Sequence, residues 1–438
     1  MVWTGFSGTK LHDTIKADLQ LRNLGGVILF ASNISNPTQV KLLNDTIKMF
    51  GNTPPFIAVD QEGGRVARLN KTNGFDTTHS AYTLGTVFNL EDSTRKAAGI
   101  MADWLYESGF NVNLAPVADV NVDSLSPAIG KLKRSYSRIP DSVFVHTNWF
   151  IDEFHKKKIV TSLKHFPGHG SALQDSHFGF TDITTTWADS ELVPYQSLIA
   201  NGYKDFVMMG HLYNANLDSV YPASLSKKVT TDLLKTQLGY EGLVITDAMG
   251  MQAITQNYSF EDAIVHAVNA GNDVLLYTAV LRNNSSLVRQ VINIIEQKVI
   301  HGNISQSRIE ESYNKIIKLK SDYGLITSVN DLADNSLPGG FELYQNYPNP
   351  FNPVTTIKYS IPSNVKGQTS NNQTTLGIDV KLSVFDILGR EVVTLVNEQK
   401  EPGVYEVTFN AAKFASGIYI YTLRSGGFIQ SRKMILLR

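Results

Sequence analysis

The 438-residue sequence contains no cysteine. Disulfides, thiolate metal sites and cysteine nucleophiles are therefore excluded. The compartment is not, because a cysteine-free chain is compatible with either side of a membrane. No apolar run reaches the roughly 18 residues that a membrane-spanning helix needs. Neither sign of charge dominates: 39 Lys and Arg stand against 40 Asp and Glu, a formal net charge of −1. That leaves no electrostatic case for nucleic acid or an anionic membrane as the main partner. The N-terminal residues, MVWTGF, lack a basic region followed by an apolar stretch, so no signal peptide is visible. They read as the inside of a first strand, and the expectation is a truncated or misassigned start whose export signal has been lost.

What is present describes a folded protein, with 42% hydrophobic and 18% charged residues. The length suits a barrel plus a small partner. Short apolar, β-branched runs fall at 2–6, 26–30, 56–60, 113–118, 160–165, 206–211, 243–247 and 273–277. Amphipathic helical patterns separate them, for example at 37–50, 141–157, 226–238 and 259–270. Eight nearly continuous apolar runs alternating with helices predict parallel strands covered on both faces, and a closed (β/α)8 TIM-like barrel. A doubly wound open sheet is the alternative. Near residue 328 the pattern changes. A polar stretch reads as a linker, and strand-like alternations follow at 356–361, 380–385, 404–409, 418–423 and 433–437. The expected division is a barrel over 1–325, a linker over 326–340 and a small all-β sandwich over 341–438.

Several runs end on a polar side chain: Asp60, Asp119, Lys164 with His165, His211 and Asp247. One strand-end aspartate is more often a helix cap or a loop hydrogen bond. Five on separate strands point to a site, because the C-terminal strand ends of a barrel form its active face. The segment KHFPGHG, residues 164–170, is followed by Asp175-Ser176-His177. Its glycines and proline keep it out of regular structure and let backbone pass close to a ligand. Asp175 and His177 share a face in extended backbone, where a carboxylate fixes the tautomer of an imidazole and raises its pKa. That makes a proton donor usable near neutral pH. A metal site drawing on His165, His169, Asp175 and His177 is the competing reading of the same residues.

KHFPGHG with the following DSH resembles the signature of glycoside hydrolase family 3, in its β-N-acetylhexosaminidase branch. FIAVDQEGGRVAR, residues 56–68, and LVITDAMGM, residues 243–251, are similar to two further segments of that branch. The three motifs stand in the family's order, and the resemblance covers roughly residues 1–325. It implies Asp247 as nucleophile, His177 as acid/base and Asp175 as the group that orients and charges it. It implies Asp60, Arg68, Arg134, Lys164 and His165 as the sugar pocket, with His211 lining the same face. Where the family has a glycine shortly before Arg-Ser-Phe, this chain has Gly130 followed by KLKRSY. Arg138 is therefore a fallback for Arg134. The implied reaction is retaining hydrolysis of terminal β-linked N-acetylglucosamine from peptidoglycan-derived or chitin-like glycans, with neither metal nor organic cofactor. A neutral imidazole does not repel an anion, so phosphate in place of water, giving a phosphorylase, stays open. So does a glycan-binding protein without turnover.

The segment FELYQNYPNPFNP, residues 341–353, is dense in aromatics, asparagine and proline. Its aromatics read as core filling, with a sugar-stacking platform as the alternative. With residues 384–392, 403–405 and 416–419 it resembles the C-terminal sorting domain of the bacterial type IX secretion system. That implies secretion machinery as a partner, and a secreted or cell-surface location.

Overall fold

The computed structural model describes all residues except 23, 52, 177, 178, 327–340, 347, 363–377, 402 and 438, and the side chains of 22 and 404 are likewise left aside. The chain divides into two compact units, Met1–Thr327 and Ser328–Arg438. The expected linker lies outside the described residues except for Ile326.

The first unit is built on eight parallel strands: β1 Val2–Gly5, β2 Gly26–Leu29, β3 Phe56–Val59, β4 Val112–Asn113, β5 Val160–Phe166, β6 Phe206–Met209, β7 Leu243–Thr246 and β8 Leu275–Leu276. They neighbour one another in chain order from β1 to β7, with β8 beside β1. A parallel bridge between Ile245 and Val274 joins β7 to the start of β8. The Asp273 amide donates to the Val244 carbonyl at 2.7 Å and the Thr246 amide to the Val274 carbonyl at 3.0 Å. The sheet is thus a closed ring, which removes both edges and settles against the open doubly wound alternative.

The helices cover the outside: α1 Asp13–Arg22, α2 Pro37–Phe50, α3 Glu91–Glu107, α4 Pro140–Lys156, α5 Val193–Ala200, α6 Phe260–Ala270, α7 Leu287–Ile300 and α8 Gln306–Asp322. Their caps are written locally. In α2 the Asn36 side chain accepts from the Gln39 amide and Pro37 opens the first turn, while Val40, Leu43 and Ile47 are buried. In α6 Ser259 caps the start, and Gly271, at φ +113°, ends the helix. The segment expected as a helix at 226–238 is helical over Lys228–Gln237, but in the wider π form.

One apolar cluster fills the ring, including Trp3, Phe56, Val160, Phe206, Met208 and Ile245. The rings of Trp3, Phe56 and Phe206 lie 5.3–5.6 Å apart near the starts of β1, β3 and β6. Ile316 and Leu319 of α8 join this cluster. The Lys320 ammonium sits 4.9 Å from the Phe56 ring and donates to the Pro54 carbonyl at 2.7 Å. The N-terminal end of the barrel is therefore plugged with hydrocarbon, and polar chemistry is left to the other end. The fourth strand is shorter than the run 113–118 predicts. Pro116 brings no N–H to the ladder, which resumes with the Ala118 amide donating to the Lys164 carbonyl at 2.9 Å.

The second unit is antiparallel. Strands β9 Glu342–Leu343, β10 Val354–Ile361 and β13 Gly403–Asn410 form one sheet in the order β9-β10-β13. Strands β11 Ile378–Phe385, β12 Glu391–Lys400, β14 Gly417–Ser425 and β15 Phe428–Leu436 form another in the order β12-β11-β14-β15. Both contribute to a single core that includes Leu343, Ile357, Tyr359, Leu382, Tyr421 and Met434. The sequence pattern missed β12, and the reason is exposure: Val396 alone on that strand is buried. The aromatic segment at 341–353 fills the core. Leu343 and Phe351 are buried, Phe341 stacks on Phe428 at 5.0 Å, and the Tyr421 hydroxyl accepts from the Asn346 amide and donates to the Tyr344 carbonyl. The same segment lies along β15: the Phe351 amide donates to the Ile435 carbonyl and the Leu437 amide to the Phe351 carbonyl, both at 2.9 Å, while Asn349 accepts from the Ile435 amide at 2.8 Å.

Replacing Phe206 by Ala is expected to destabilise the barrel unit by about 3–5 kcal/mol, because the ring sits in a closed aromatic cluster that cannot collapse onto the cavity. Urea unfolding checks this, and a loss below about 1 kcal/mol would exclude the plug as a main source of stability.

Candidate active site

The strand ends β3 to β7 carry the polar side chains that converge. Asp60 follows β3, and the next residues turn back as a short hairpin, Gln61–Gly63 paired with Val66–Ala67. The Gln61 amide donates to Asn113 at 3.0 Å and the Gln61 carbonyl accepts from the same side chain at 3.0 Å, which ties the hairpin to β4. Asp60 and Glu62 lie two apart in extended backbone and so share a face. Lys164, on β5, reaches both, at 2.8 Å from Asp60 Oδ1 and 2.6 Å from Glu62 Oε1. Arg68 approaches the other Asp60 oxygen at 3.3 Å. Arg134 grips Glu62 with a two-pronged fork, Nε to Oε2 at 2.9 Å and Nη2 to Oε1 at 2.8 Å, and its Nη2 lies 3.4 Å from His165 Nε2.

Three carboxylates and three cations thus meet at the barrel mouth once Asp119 is added. Asp119 is fully buried. Its Oδ2 meets His165 Nδ1 at 2.7 Å, and its Oδ1 accepts from the amides of His165 at 3.0 Å and His169 at 2.8 Å. Burial alone would push these carboxyls up, and the partners reverse it. Lys164 and Arg68 hold Asp60 below the ordinary carboxylate range. Arg134 and Lys164 bring Glu62 down to about 2. His165 lowers Asp119. The site is therefore an array of charges held by direct contacts with one another.

The KHFPGHG segment leaves β5 as an irregular turn, with cis peptides at Lys164-His165 and Phe166-Pro167. Gly168 takes φ +133°, and at Gly170 an added Cβ would lie 1.6 Å from the Val120 carbonyl oxygen, so no side chain fits there. His169 is buried and held neutral, its pKa lowered to about 4 by burial and by the neighbouring His165. Its Nε2 meets the Ser176 hydroxyl at 3.3 Å. Asp175 is half-buried beside Ser176, and His177 lies outside the described residues.

Asp247 directly follows β7 and is half-buried. Its Oδ1 accepts from the Ala248 amide at 2.7 Å, and its own amide donates to the Met209 carbonyl at 2.9 Å. His211, after β6, has Nδ1 2.7 Å from the Ser224 hydroxyl and Nε2 3.1 Å from the Ala248 carbonyl. A carbonyl only accepts, so Nε2 carries the proton and the ring supports the Asp247 turn.

Of the residues singled out from sequence, Asp60, Arg68, Arg134, Lys164 and His165 form one contact network, and Asp247 and His211 are joined through Ala248 at the same barrel end. Arg138, the fallback, is exposed. Among the described residues no three His, Asp or Glu side chains are grouped to hold a metal ion. Glu62 is the member that sequence reasoning passed over, and Asp119, noted there as a strand end, was given no role. Glu62 was signalled by its place two residues after Asp60, and Asp119 by ending the fourth run.

Residues 1–319 match the family model of the glycosyl hydrolase family 3 N terminal domain, and residues 345–437 match that of a secretion system C-terminal sorting domain. The chain is 30% identical over 322 residues to a protein named Beta-hexosaminidase A from Pseudoalteromonas piscicida, covering 68% of this chain and 53% of that one. It is 34% identical over 286 residues to a Beta-hexosaminidase of Stenotrophomonas maltophilia (strain K279a), covering 63% and 82%. A solved glycoside hydrolase family 3 beta-N-acetylglucosaminidase from Paenibacillus sp. str. FPU-7 superimposes with a TM-score of 0.69 at 30% identity, over 77% of this chain and 63% of that one. The chain thus spans about half of the Pseudoalteromonas protein and under two thirds of the Paenibacillus chain.

Replacing Glu62 by Gln is expected to cost roughly 3 kcal/mol at pH 7, since Arg134 and Lys164 lose the charge that offsets their burial. The carboxyl's folded pKa is depressed from 4.5 to about 2. Its contribution is therefore fully present above 4.5 and lost as pH falls through about 2. Urea midpoints across this range should show the gap between wild type and variant closing with acid, and a gap independent of pH would exclude the pairing.

Proposed function

The chain belongs to glycosyl hydrolase family 3, and we propose that it is a retaining β-N-acetylhexosaminidase that removes terminal β-linked N-acetylglucosamine from peptidoglycan-derived or chitin-like glycans. The observation that carries this reading is the pairing, at one barrel mouth, of a strand-end carboxylate held by its neighbour's amide, Asp247, with the buried Asp60–Lys164–Glu62–Arg134 array. Such an array is suited to sugar hydroxyls, which both donate and accept, because it offers fixed charges of both signs.

In this reading Asp247 attacks the anomeric carbon. The C1–oxygen bond to the leaving group breaks as a bond to the Asp247 carboxylate forms, and His177 gives its proton to the departing oxygen. Water then attacks the glycosyl-enzyme from the face the leaving group vacated. His177 takes a proton from that water, and Asp247 leaves as carboxylate. Asp175 orients the His177 ring and stabilises its charged form. Asp60, Lys164, Arg68, Arg134 and His165 hold the sugar. His211 acts through Ala248 on the placement of the nucleophile.

Residues 1–325 are the catalytic part, 326–340 the connection and 341–438 the export signal. The sorting-domain match supports delivery to the cell surface or beyond by a secretion system of type IX, with removal of the module after passage. Among the described residues no helix is long and apolar enough to cross a membrane.

Purified protein should release the aryl group from an aryl β-N-acetylglucosaminide and yield free N-acetylglucosamine, not the sugar 1-phosphate, in phosphate buffer. Asp247→Ala should lower kcat by more than about 10⁴-fold with the fold intact by circular dichroism, since a strand-end carboxylate at the mouth contributes little to packing. Wild-type turnover by that variant refutes the nucleophile. His177→Ala should slow substrates with poor leaving groups by roughly 10²–10⁴-fold and activated aryl glycosides far less, because only the former need a proton. Equal losses on both remove the proton-donor role.

A further inference from the structure

Glu191 stands in a one-turn 3₁₀ helix, Asp189–Leu192, that leads into α5. It is 0% exposed, and among the described residues neither of its carboxyl oxygens has a hydrogen-bond partner. A buried ionised carboxylate without a partner is so costly that the group takes up a proton instead. Burial accordingly pushes this carboxyl up to about 7. The Ser171 hydroxyl and amide and the Ala188 amide draw it down without being aligned as full hydrogen bonds, and the charge on Asp119 draws it up.

What Glu191 touches gives this a consequence. Gly168 of the KHFPGHG turn lies directly on its side chain: a Cβ added there would be 2.8 Å from Glu191 Cβ and 2.9 Å from Oε2. Trp187, four residues earlier, donates its indole N–H to the Pro167 carbonyl at 3.0 Å. The next residue of the turn, His169, meets Ser176, which stands between Asp175 and His177. The ionisable groups facing Glu191 are Asp119, beyond β4, and Tyr195 on α5, and His169 in the turn is neutral. None of these supplies a positive charge.

We propose that Glu191, as a neutral acid, is a positioning residue that seats the Pro167–Ser171 turn and through it Ser176 and the adjoining Asp175, and that its ionisation unseats them. The seat itself is read from the contacts of Glu191. Its effect on turnover rests on the assignment of Asp175 and His177 made above. An ionised Glu191 would face Asp119 as a second negative charge, and moving the turn outward to admit water relieves that cost. The Asp119 carboxylate, by contrast, stays ionised because it accepts from His165 and two amides.

The test compares wild type, Glu191→Gln and Trp187→Phe across pH. Trp187→Phe identifies which part of the emission of the four tryptophans comes from Trp187. Wild-type Trp187 emission should titrate near pH 7, and the Glu191→Gln emission should be flat. Each normalised to its own value at pH 6, kcat/KM at about pH 8.5 should be roughly 30-fold higher for Glu191→Gln than for wild type, as expected for removal of a single ionisation near 7. A merely structural role would lower the rate evenly at every pH. Trp187 emission that does not titrate in the wild type overturns the proposal even if the glutamine variant fails to fold. An emission change without a matching change in rate leaves the seat standing and overturns the part given to Asp175 and His177.

Discussion

Glu62 is buried between Arg134 and Lys164, and the arrangement of the barrel mouth depends on that contact. Lys164 leaves β5 and is shared with Asp60 of the neighbouring strand end, while Arg134 comes from the long loop after β4 and touches His165 as well. Each member holds a second member in place. Removing one leaves a charge in a low-dielectric setting with nothing to offset it, so the group acts as a unit. Burying charged groups such as Glu62, Lys164 and Asp119 adds little net stability over a hydrocarbon alternative. What it supplies is position: donors and acceptors fixed before any ligand arrives, which need not reorganise as charge develops in a reaction.

Two buried carboxyls flank the turn after β5, and they are held in opposite states. Asp119 accepts from His165 and from two amides, and stays ionised. Glu191 packs against Gly168 with no such partners among the described residues, and stays protonated below about pH 7. The same side-chain chemistry thus serves as an anchor on one side and as a nearly apolar wedge on the other, and the difference lies in the number of donors within reach.

Much of this was legible in the order of residues. Eight apolar runs separated by helical periodicity determine a barrel, and polar residues at run ends locate its active end. Asp60, Lys164, His165 and Asp247 follow from that rule alone. Other features were not legible because they arise from contacts distant in sequence. Glu62 and Arg134 are 72 positions apart, and nothing local marks them as a pair. Glu191 reads as an ordinary polar residue at a helix start, where acidic side chains are common, and only the packing of Gly168 on it shows its burial. Strand β12 was missed because most of its side chains face solvent and the period-two signal is weak. The fourth strand was overestimated because β-branched residues continue past Pro116, which cannot take part in the ladder.

The last strand of the second unit has its outer rim occupied by residues 349–351 of the same chain. On the opposite rim, β12 carries Glu391, Glu398 and Lys400. An unoccupied strand border templates pairing with any similar strand nearby, and charged side chains and covering segments both prevent it. Both rims of this four-stranded sheet are thereby kept from pairing with a similar strand of another molecule. The asparagine- and proline-rich stretch has, on this account, a second use as a guard against self-association.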